Sequence, residues 1–88
     1  MFVILYYDVG EKRCGKMLKT CRKYLQWVQN SVFEGEISTA KYEKLIYEIK
    51  RIIKDEEGDS IVTYLFRTTK YTKRLVYGKD KKADIQFI

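Results

Sequence analysis

The chain has 88 residues, of which 45% are hydrophobic and 34% are charged, and its formal net charge is +6. This length allows one small domain, and the hydrophobic fraction excludes a disordered polyampholyte. No stretch approaches the roughly 18 consecutive apolar residues of a membrane span, and the apolar N-terminus is too short for a signal peptide. We therefore expect a folded cytoplasmic protein that makes no contact with membranes and binds a polyanionic partner.

The chain contains no histidine and only two cysteines, Cys14 and Cys21. On one helix these two residues would lie about 10 Å apart, which is beyond the reach of a disulfide, so both are expected to be reduced core residues. The lack of histidine removes the usual general base and proton shuttle. Any catalysis must therefore use carboxylates, tyrosines or metal-bound water.

The first half of the chain predicts a strand, a helix and further strand material. Residues 2–8 form a continuous apolar run that ends at Asp8, which is typical of a central strand with a carboxylate at its C-terminal end. Apolar residues recur at helical spacing over residues 11–25. Residues 26–37 mix aromatic and β-branched residues with Gly35, which predicts two short strands or one long strand with a bulge.

The second half begins with Ser38, which is predicted to be the N-cap of a helix that runs to a stop at Gly58. Residues 60–66 predict another strand, and residues 73–77 a short alternating one. The order β-α-β-β-α-β with extra C-terminal strand material is typical of an α+β, ferredoxin-like split βαβ fold. We expect residues 1–88 to form one such domain.

The C-terminal end of the chain is basic and then apolar, and its last four residues are Ile85, Gln86, Phe87 and Ile88. A small domain rarely leaves such an end in water. We therefore expect residues 79–88 to form a tail that pairs with a second copy, so that the protein is a homodimer.

Asp8 admits two interpretations, because a carboxylate at the end of a buried strand has two common uses. It can cap the next helix by accepting hydrogen bonds from its first turn. In a symmetric dimer, two copies of Asp8 could instead bind one Mg²⁺, which needs only one or two carboxylates plus waters. Such a metal would activate water for phosphodiester hydrolysis. The position of Asp8 alone leaves both interpretations open.

Basic residues are concentrated in the first predicted helix. Six of the 18 lie between Lys12 and Lys23, with only Glu11 to oppose them. A lysine-rich helix face is most often simply solvated. The concentration nevertheless favours sequence-independent contacts with the phosphates of a nucleic acid. A second cluster without acidic residues consists of Arg67, Lys70, Lys73 and Arg74.

Three stretches carry a family resemblance that spans almost the whole chain. They are Tyr7-Asp8 at the end of the first strand, Gln29-Asn30-Ser31-Val32-Phe33-Glu34-Gly35, and Tyr71-x-Lys73-Arg74-x-Val76-x-Gly78. Together with the length and the order of elements, they resemble the CRISPR-associated protein family two, the small subunit of CRISPR spacer acquisition (adaptation).

The resemblance implies a ferredoxin-like homodimer that exchanges C-terminal strands. It implies that the protein bridges two dimers of the CRISPR integrase and holds duplex DNA across a basic surface. Some members of the family also cleave single-stranded RNA or duplex DNA with Mg²⁺, as CRISPR-associated endoribonucleases. These properties are expectations for the present chain.

The resemblance also assigns residues. Asp8 falls on the family's catalytic, Mg²⁺-binding aspartate. The residues predicted to contact nucleic acid are Lys12, Arg13, Lys16 and Arg22. The residues predicted to lie near the dimer cleft are Tyr7, Ser31 and Phe33.

Two functions of different class stay open. The first is a metal-dependent endonuclease that acts through paired Asp8 residues, although one carboxylate per chain and no histidine make a sparse catalytic site. The second is a non-catalytic scaffold that bridges integrase dimers and holds duplex DNA. A third hypothesis, an RNA-cleaving toxin of the same fold, predicts RNA cleavage without any integrase partner.

Overall fold

Four strands and two α-helices make up the fold within residues 1–81, which are the residues that the structure, a computed structural model, describes. In chain order the elements are β1 (Phe2–Asp8), α1 (Glu11–Arg22), β2 (Gln26–Gln29), β3 (Val32–Glu36), α2 (Thr39–Lys50), a short 3-10 turn (Asp55–Glu57) and β4 (Ser60–Phe66). The predicted β-α-β-β-α-β order is confirmed. Each helix has 12 residues, and within the described range neither is long and apolar enough to cross a membrane.

The strands form one antiparallel sheet in the order β2-β3-β1-β4, with β1 hydrogen-bonded on both sides. Side chains of β1 alternate between the two faces of the sheet. Val3, Leu5 and Tyr7 are buried, whereas Tyr6 and Asp8 on the other face are exposed. We call the face that carries Tyr6 and Asp8 the open face.

Both helices pack on the face that carries Val3, Leu5 and Tyr7. The other buried apolar residues of this core are Met17, Cys21, Leu25, Phe33, Ile37, Leu45 and Ile49. They come from both helices, from β3 and from the connections between elements. Since nearly all the fully buried side chains lie on this side of the sheet, the fold has a single core, and the open face is not part of it.

The two cysteines differ in environment, so the prediction that both lie in the core is correct only for Cys21. Cys21 is buried, and burial raises the pKa of its thiol to about 12, which keeps it protonated and unreactive. Cys14 is exposed, and its Sγ lies 3.6 Å from the carbonyl oxygen of Gly10 at the start of α1. Both thiols are free.

Residues 26–37 form two strands joined by a tight turn, and a register shift between Trp27 and Gln29 adds an irregularity. Of the two alternatives that the sequence leaves open, two short strands is therefore correct, and the irregularity lies in their pairing. Asn30 adopts a left-handed conformation with φ of 44°, which asparagine tolerates better than most residues. The Trp27 Nε1–H closes the turn by donating to the carbonyl of Asn30 at 2.9 Å.

The start of α2 is as predicted. The Ser38 hydroxyl accepts a hydrogen bond from the backbone N–H of Lys41 at 3.2 Å, which satisfies one of the free donors of the first turn. Leu45 and Ile49, four residues apart on the helix, are fully buried against the sheet. The hydroxyl of Tyr42 lies 2.8 Å from the Thr63 hydroxyl, so α2 also contacts the edge strand β4.

The end of α2 differs from the prediction, because the helix stops at Lys50 and not near Gly58. The backbone N–H of Lys54 donates to the Asp59 side chain at 3.0 Å, whereas a continuing helix would need it for a carbonyl four residues back. The acidic run Asp55–Glu57 would also oppose the dipole at a helix C-terminus. Gly58, with φ of 87°, ends the 3-10 turn instead.

The strand predicted over residues 73–77 is absent, and Leu75 and Tyr77 are 60% and 89% exposed. A strand needs a neighbour for its hydrogen bonds, and within residues 1–81 no other strand lies beside this segment. The predicted pairing tail, residues 79–88, lies mostly outside the described residues.

Phe33 provides a test of this core. We expect Phe33→Ala to lower the free energy of unfolding by about 3–5 kcal/mol, because a fully buried aromatic side chain would leave a cavity. Urea denaturation at one fixed protein concentration measures the change. Tyr77→Ala removes a similar side chain that is 89% exposed and should change the value by less than about 0.5 kcal/mol. Equal losses in the two variants would contradict the assignment of Phe33 to the core.

Candidate functional site

Asp8 lies at the C-terminal end of β1 with an exposed side chain on the open face of the sheet. It is in register with Ser60 of β4. Within residues 1–81 no hydrogen bond or ion pair engages its carboxylate. Both oxygens of Asp8 are therefore available to a ligand that approaches the open face.

A second carboxylate, Asp59, lies at the same end of the sheet and was not singled out by the sequence. Its side chain is 1% exposed. It accepts hydrogen bonds from the backbone N–H of Gly10 at 2.8 Å and of Lys54 at 3.0 Å. It also accepts two from Arg13, through Nε and, at 2.9 Å, through Nη2. We call Asp59 with these partners the Asp59 clamp.

The Asp59 clamp performs the capping task that was one interpretation of Asp8. Gly10 is the N-cap residue of α1 and has no side chain to cap it. Asp59 accepts the Gly10 N–H from outside the helix and places a negative charge at the positive end of the helix dipole. Asp8 is thereby left without a structural role of this kind.

Electrostatics keep the Asp59 clamp charged. The hydrogen bond from Arg13 is the largest cause that holds the pKa of the Asp59 carboxyl well below its usual range. The backbone N–H groups of Lys54 and Gly10 lower this pKa further, while burial opposes the shift. The same contact raises the pKa of the Arg13 guanidinium. Asp59 therefore stays ionised at every pH at which the protein is expected to work.

Gly10 is required by the position of the Arg13 side chain. A Cβ atom added to Gly10 would lie 2.6 Å from Arg13 Nη2 and 3.2 Å from Cζ. The guanidinium cannot move aside without losing Asp59, since both of its hydrogen bonds to that carboxylate would change. The connection between β1 and α1 is therefore fitted to the clamp.

Tyr7, Ser31 and Phe33, the residues predicted near a dimer cleft, lie close together in the structure. The rings of Tyr7 and Phe33 stack with centroids 6.3 Å apart, and the Tyr7 N–H donates to the carbonyl of Ser31 at 3.2 Å. Burial raises the pKa of the Tyr7 hydroxyl, and a hydrogen bond with Ser31 partly offsets this. Tyr7 and Phe33 are buried on the helix side, so they support the end of β1 from the face opposite Asp8.

The basic residues of α1 separate into two groups. Arg13 belongs to the Asp59 clamp, with a side chain that is 13% exposed, so it has a partner other than phosphate. Lys23 donates to Glu48 of α2, and this contact is the largest cause that lowers the pKa of the Glu48 carboxyl. The other four basic residues of this segment are exposed and make no ion pair within residues 1–81: Lys12, Lys16, Lys19 and Arg22. We call these four the α1 basic stripe.

In the second predicted basic cluster, one residue, Arg74, is paired with acidic residues from other parts of the chain. Arg74 Nε donates to Glu34 of β3 at 2.6 Å, and its Nη1 lies 3.6 Å from Asp80. The cluster contains no acidic residue along the sequence, but Arg74 meets two in space. Residues 67, 70 and 73 remain exposed.

Comparison with known proteins decides the family. Residues 1–74 match the family model described as CRISPR associated protein Cas2. The chain belongs to this family. It is similar to the CRISPR-associated endoribonuclease Cas2 of Dictyoglomus turgidum, with 51% identity over 88 residues that cover 100% of both chains. The Cas2 endoribonuclease of Thermotoga maritima is also 51% identical, over 96% of this chain and 95% of that one.

Solved Cas2 structures agree with the fold. A crystal structure of cas2 superposes with a TM-score of 0.81 at 44% identity and covers 92% of this chain and 90% of that one. Streptococcus pyogenes Cas2 gives a TM-score of 0.72 at 31% identity over 88% of this chain and 100% of that one. The predicted family and the ferredoxin-like α+β fold are confirmed, and Asp8 ends β1 as the resemblance led us to expect.

The Asp59 clamp predicts a specific dependence of stability on pH. Because the pKa of Asp59 is lowered in the folded state, its contribution to stability is complete above the ordinary aspartate pKa of about 3.9. The contribution is lost as the pH falls toward the lowered value. We expect Asp59→Asn to melt at a lower temperature than the native protein near neutral pH, and this difference to shrink below about pH 4.

Thermal melting followed by circular dichroism, from about pH 3 to about pH 7, measures this difference. Asp55→Asn is the matched control, since Asp55 is an exposed carboxylate of the neighbouring 3-10 turn, and this variant should melt like the native protein. A melting difference for Asp59→Asn that is the same across the whole pH range would contradict the role of the Asp59 charge.

Proposed function

We propose that the chain is a subunit of CRISPR spacer acquisition and acts as a Mg²⁺-dependent endonuclease on single-stranded RNA or duplex DNA. The observation that carries the proposal is the exposed Asp8 carboxylate, which is left without a partner within residues 1–81 because Asp59 caps α1. Endoribonuclease is the activity in the names of the Dictyoglomus turgidum and Thermotoga maritima relatives, which supports RNA as a substrate.

A homodimer is part of this proposal, and the open face supports it. Tyr6, Val62 and Tyr64 on this face are 40%, 36% and 52% exposed, and the two tyrosine rings lie 6.3 Å apart. Such a patch of apolar and aromatic side chains on one face of a sheet is typical of an interface. A second copy that covers it around a two-fold axis would bring two Asp8 side chains to the same region.

The chemistry of the donors fits Mg²⁺ only in such a dimer. No group of three or more potential metal ligands occurs among residues 1–81. Mg²⁺ is held in many proteins by one or two carboxylates and keeps several waters. Two copies of Asp8 match this requirement. When bound, Mg²⁺ supplies Lewis acidity and lowers the pKa of water, so that hydrolysis near neutral pH needs no histidine.

The chain's own residues would divide the remaining tasks. Asp8 would hold the metal and so place it at the end of β1. The α1 basic stripe would bind phosphates, because Lys12, Lys16 and Lys19 recur at the spacing of one helix face. These contacts read the charge of the backbone and not the bases, so binding should depend little on sequence.

A second candidate function is a non-catalytic scaffold that bridges CRISPR integrase dimers and holds duplex DNA. The position of the α1 basic stripe relative to Asp8 favours it. The α1 basic stripe faces solvent on the helix side, whereas Asp8 lies on the open face. A duplex along α1 therefore meets the layer opposite to Asp8. Binding without cleavage is the property that distinguishes this candidate.

Cleavage by an Asp8 variant separates the two functions. We expect Asp8→Asn to cut labelled single-stranded RNA and duplex DNA at least about 100-fold more slowly with Mg²⁺, because the variant loses the carboxylate that would hold the metal. The assay compares initial rates over a pH series. Duplex binding and the oligomeric state, measured by anisotropy and sedimentation, should not change, since Asp8 supports neither the core nor the α1 basic stripe.

Asp55→Asn is the control for the loss of one exposed carboxylate and should cut at the native rate. Equal cleavage by the native protein and Asp8→Asn, or no cleavage by either, would contradict the nuclease and leave the scaffold.

The α1 basic stripe predicts how binding depends on salt. We expect Lys16→Gln and Lys19→Gln each to weaken binding to duplexes of unrelated sequence by a similar factor, and to lower the slope of log affinity against log salt by about 0.9 for each phosphate contact that the dimer loses. Lys54→Gln is the control, since this lysine lies 3.8 Å from Glu57 and is outside the stripe. An unchanged slope in both stripe variants would contradict the assignment.

A further inference from the structure

The two carboxylates at this end of the sheet have opposite environments. Asp59 directly precedes Ser60, and Ser60 is the β4 residue in register with Asp8. The Asp59 carboxylate is buried and engaged by four N–H donors, so it has no capacity left for a ligand. Asp8 is exposed and unengaged within residues 1–81. Asp8 can therefore bind a ligand, whereas Asp59 can only hold the segments that donate hydrogen bonds to it.

At Asp8 the sheet constrains the backbone from one side only, through pairing with β4. On the β3 side the register ends at Tyr6, opposite Val32, and the last backbone hydrogen bond is from Tyr7 to Ser31, whereas pairing with β4 continues to Asp8. Beyond Asp8 the chain leaves the sheet and enters α1 through Val9 and Gly10. A further constraint on Asp8 must therefore come from this short connection.

The Asp59 clamp supplies that constraint. It holds the Gly10 N–H, two residues after Asp8, and it holds Arg13 in the first turn of α1. It also holds the Lys54 N–H, so the connection is tied to the loop that leads into β4. Because only Val9 separates Asp8 from Gly10, a shift of the clamp must be passed on to the Asp8 backbone.

We propose that Asp59 is a positioning residue for Asp8, which fixes the β1–α1 connection and so aims the Asp8 carboxylate at the metal and the phosphodiester. This inference rests on the proposed function of Asp8. Asp59 touches neither substrate nor metal. It acts on the direction of the Asp8 side chain. A displacement of a catalytic group by about 1 Å is enough to reduce a rate by about 100-fold.

The sharpest variant is Asp59→Asn, which keeps the size of the side chain. Every partner of Asp59 is a hydrogen-bond donor. The side-chain NH2 of asparagine is also a donor, so it would point at one of these N–H groups without forming a hydrogen bond. Arg13→Lys is the second variant: it keeps the positive charge and loses the two-nitrogen contact. Glu57→Gln is the control, since Glu57 lies 3.7 Å from Arg13 Nη1 and does not contact Asp59 or Asp8.

The first measurement is steady-state cleavage of labelled RNA with Mg²⁺ at a temperature at which melting curves show every variant fully folded. We expect kcat to fall by about 10- to 100-fold in Asp59→Asn and by a smaller factor in Arg13→Lys. KM should not change, because the clamp is buried and contacts no substrate. Glu57→Gln should match the native protein. A purely structural role would lower the melting temperature and leave kcat of the folded protein unchanged, which would overturn the inference.

The second measurement does not depend on activity. Mn²⁺ broadens the NMR signals of nearby amides, so a titration with Mn²⁺ reports binding at Asp8. We expect broadening of the Asp8 and Val9 signals in the native protein and in Glu57→Gln, and none in Asp8→Asn. Asp59→Asn should need about 10- to 100-fold more Mn²⁺. If this variant does not fold, Arg13→Lys should show a smaller shift of the same sign.

The two measurements distinguish the two proposals. If the native protein cleaves neither RNA nor duplex DNA but Mn²⁺ binds more weakly to Asp59→Asn, the nuclease fails and the positioning of Asp8 is supported. If Asp8→Asn stops cleavage while Asp59→Asn has native kcat and a native Mn²⁺ titration, the nuclease is supported and the positioning is overturned. No broadening near Asp8 in the native protein would overturn the positioning as well.

Discussion

Four N–H donors converge on one buried carboxylate, Asp59, and the arrangement of the chain around Asp8 depends on that convergence. The donors come from the β1–α1 connection, the first turn of α1 and the loop after α2. A buried charge is tolerated only when it is paired and hydrogen-bonded, so these segments are held together or the charge is left uncompensated. Asp59 thereby ties the start of α1 to the loop after α2, and Asp8 is left exposed on the open face.

Because side chains of β1 alternate between the two faces of the sheet, adjacent residues of this strand have different roles. Tyr7 points into the core and stacks on Phe33, while Asp8 points out of the open face. A shift of the strand by one residue would reverse both. Residues on both faces of β1 are apolar, so its position is fixed by pairing with β3 on one side and β4 on the other, and this register places the carboxylate on the open face.

The parts of this structure that could be predicted from sequence are those that depend on neighbouring residues. The run over residues 2–8 and the cap at Ser38 are local patterns, and both are confirmed. Asp59 contacts Arg13 and Gly10 across 46 and 49 residues, so no periodicity reveals it, and its one sequence signal is a carboxylate directly before an apolar strand. For the same reason the sequence predicts Arg13 to contact phosphate and places Arg74 in a cluster without acidic residues. Asp8 can be predicted because a strand end and a family motif coincide there.

Because only some basic residues have a carboxylate partner, the positive charge is unevenly distributed over the surface of the molecule. Arg13, Lys23 and Arg74 each have a carboxylate partner, whereas the α1 basic stripe has none among the described residues. In a molecule with a net charge of +6, the outer side of one helix therefore carries four exposed positive charges that make no ion pair within residues 1–81. A polyanion that diffuses toward such a molecule is turned by the field before the two surfaces touch. It would arrive at the helix layer, and the aromatic side of the sheet would stay vacant for a second copy, so capture of nucleic acid and self-association need not compete.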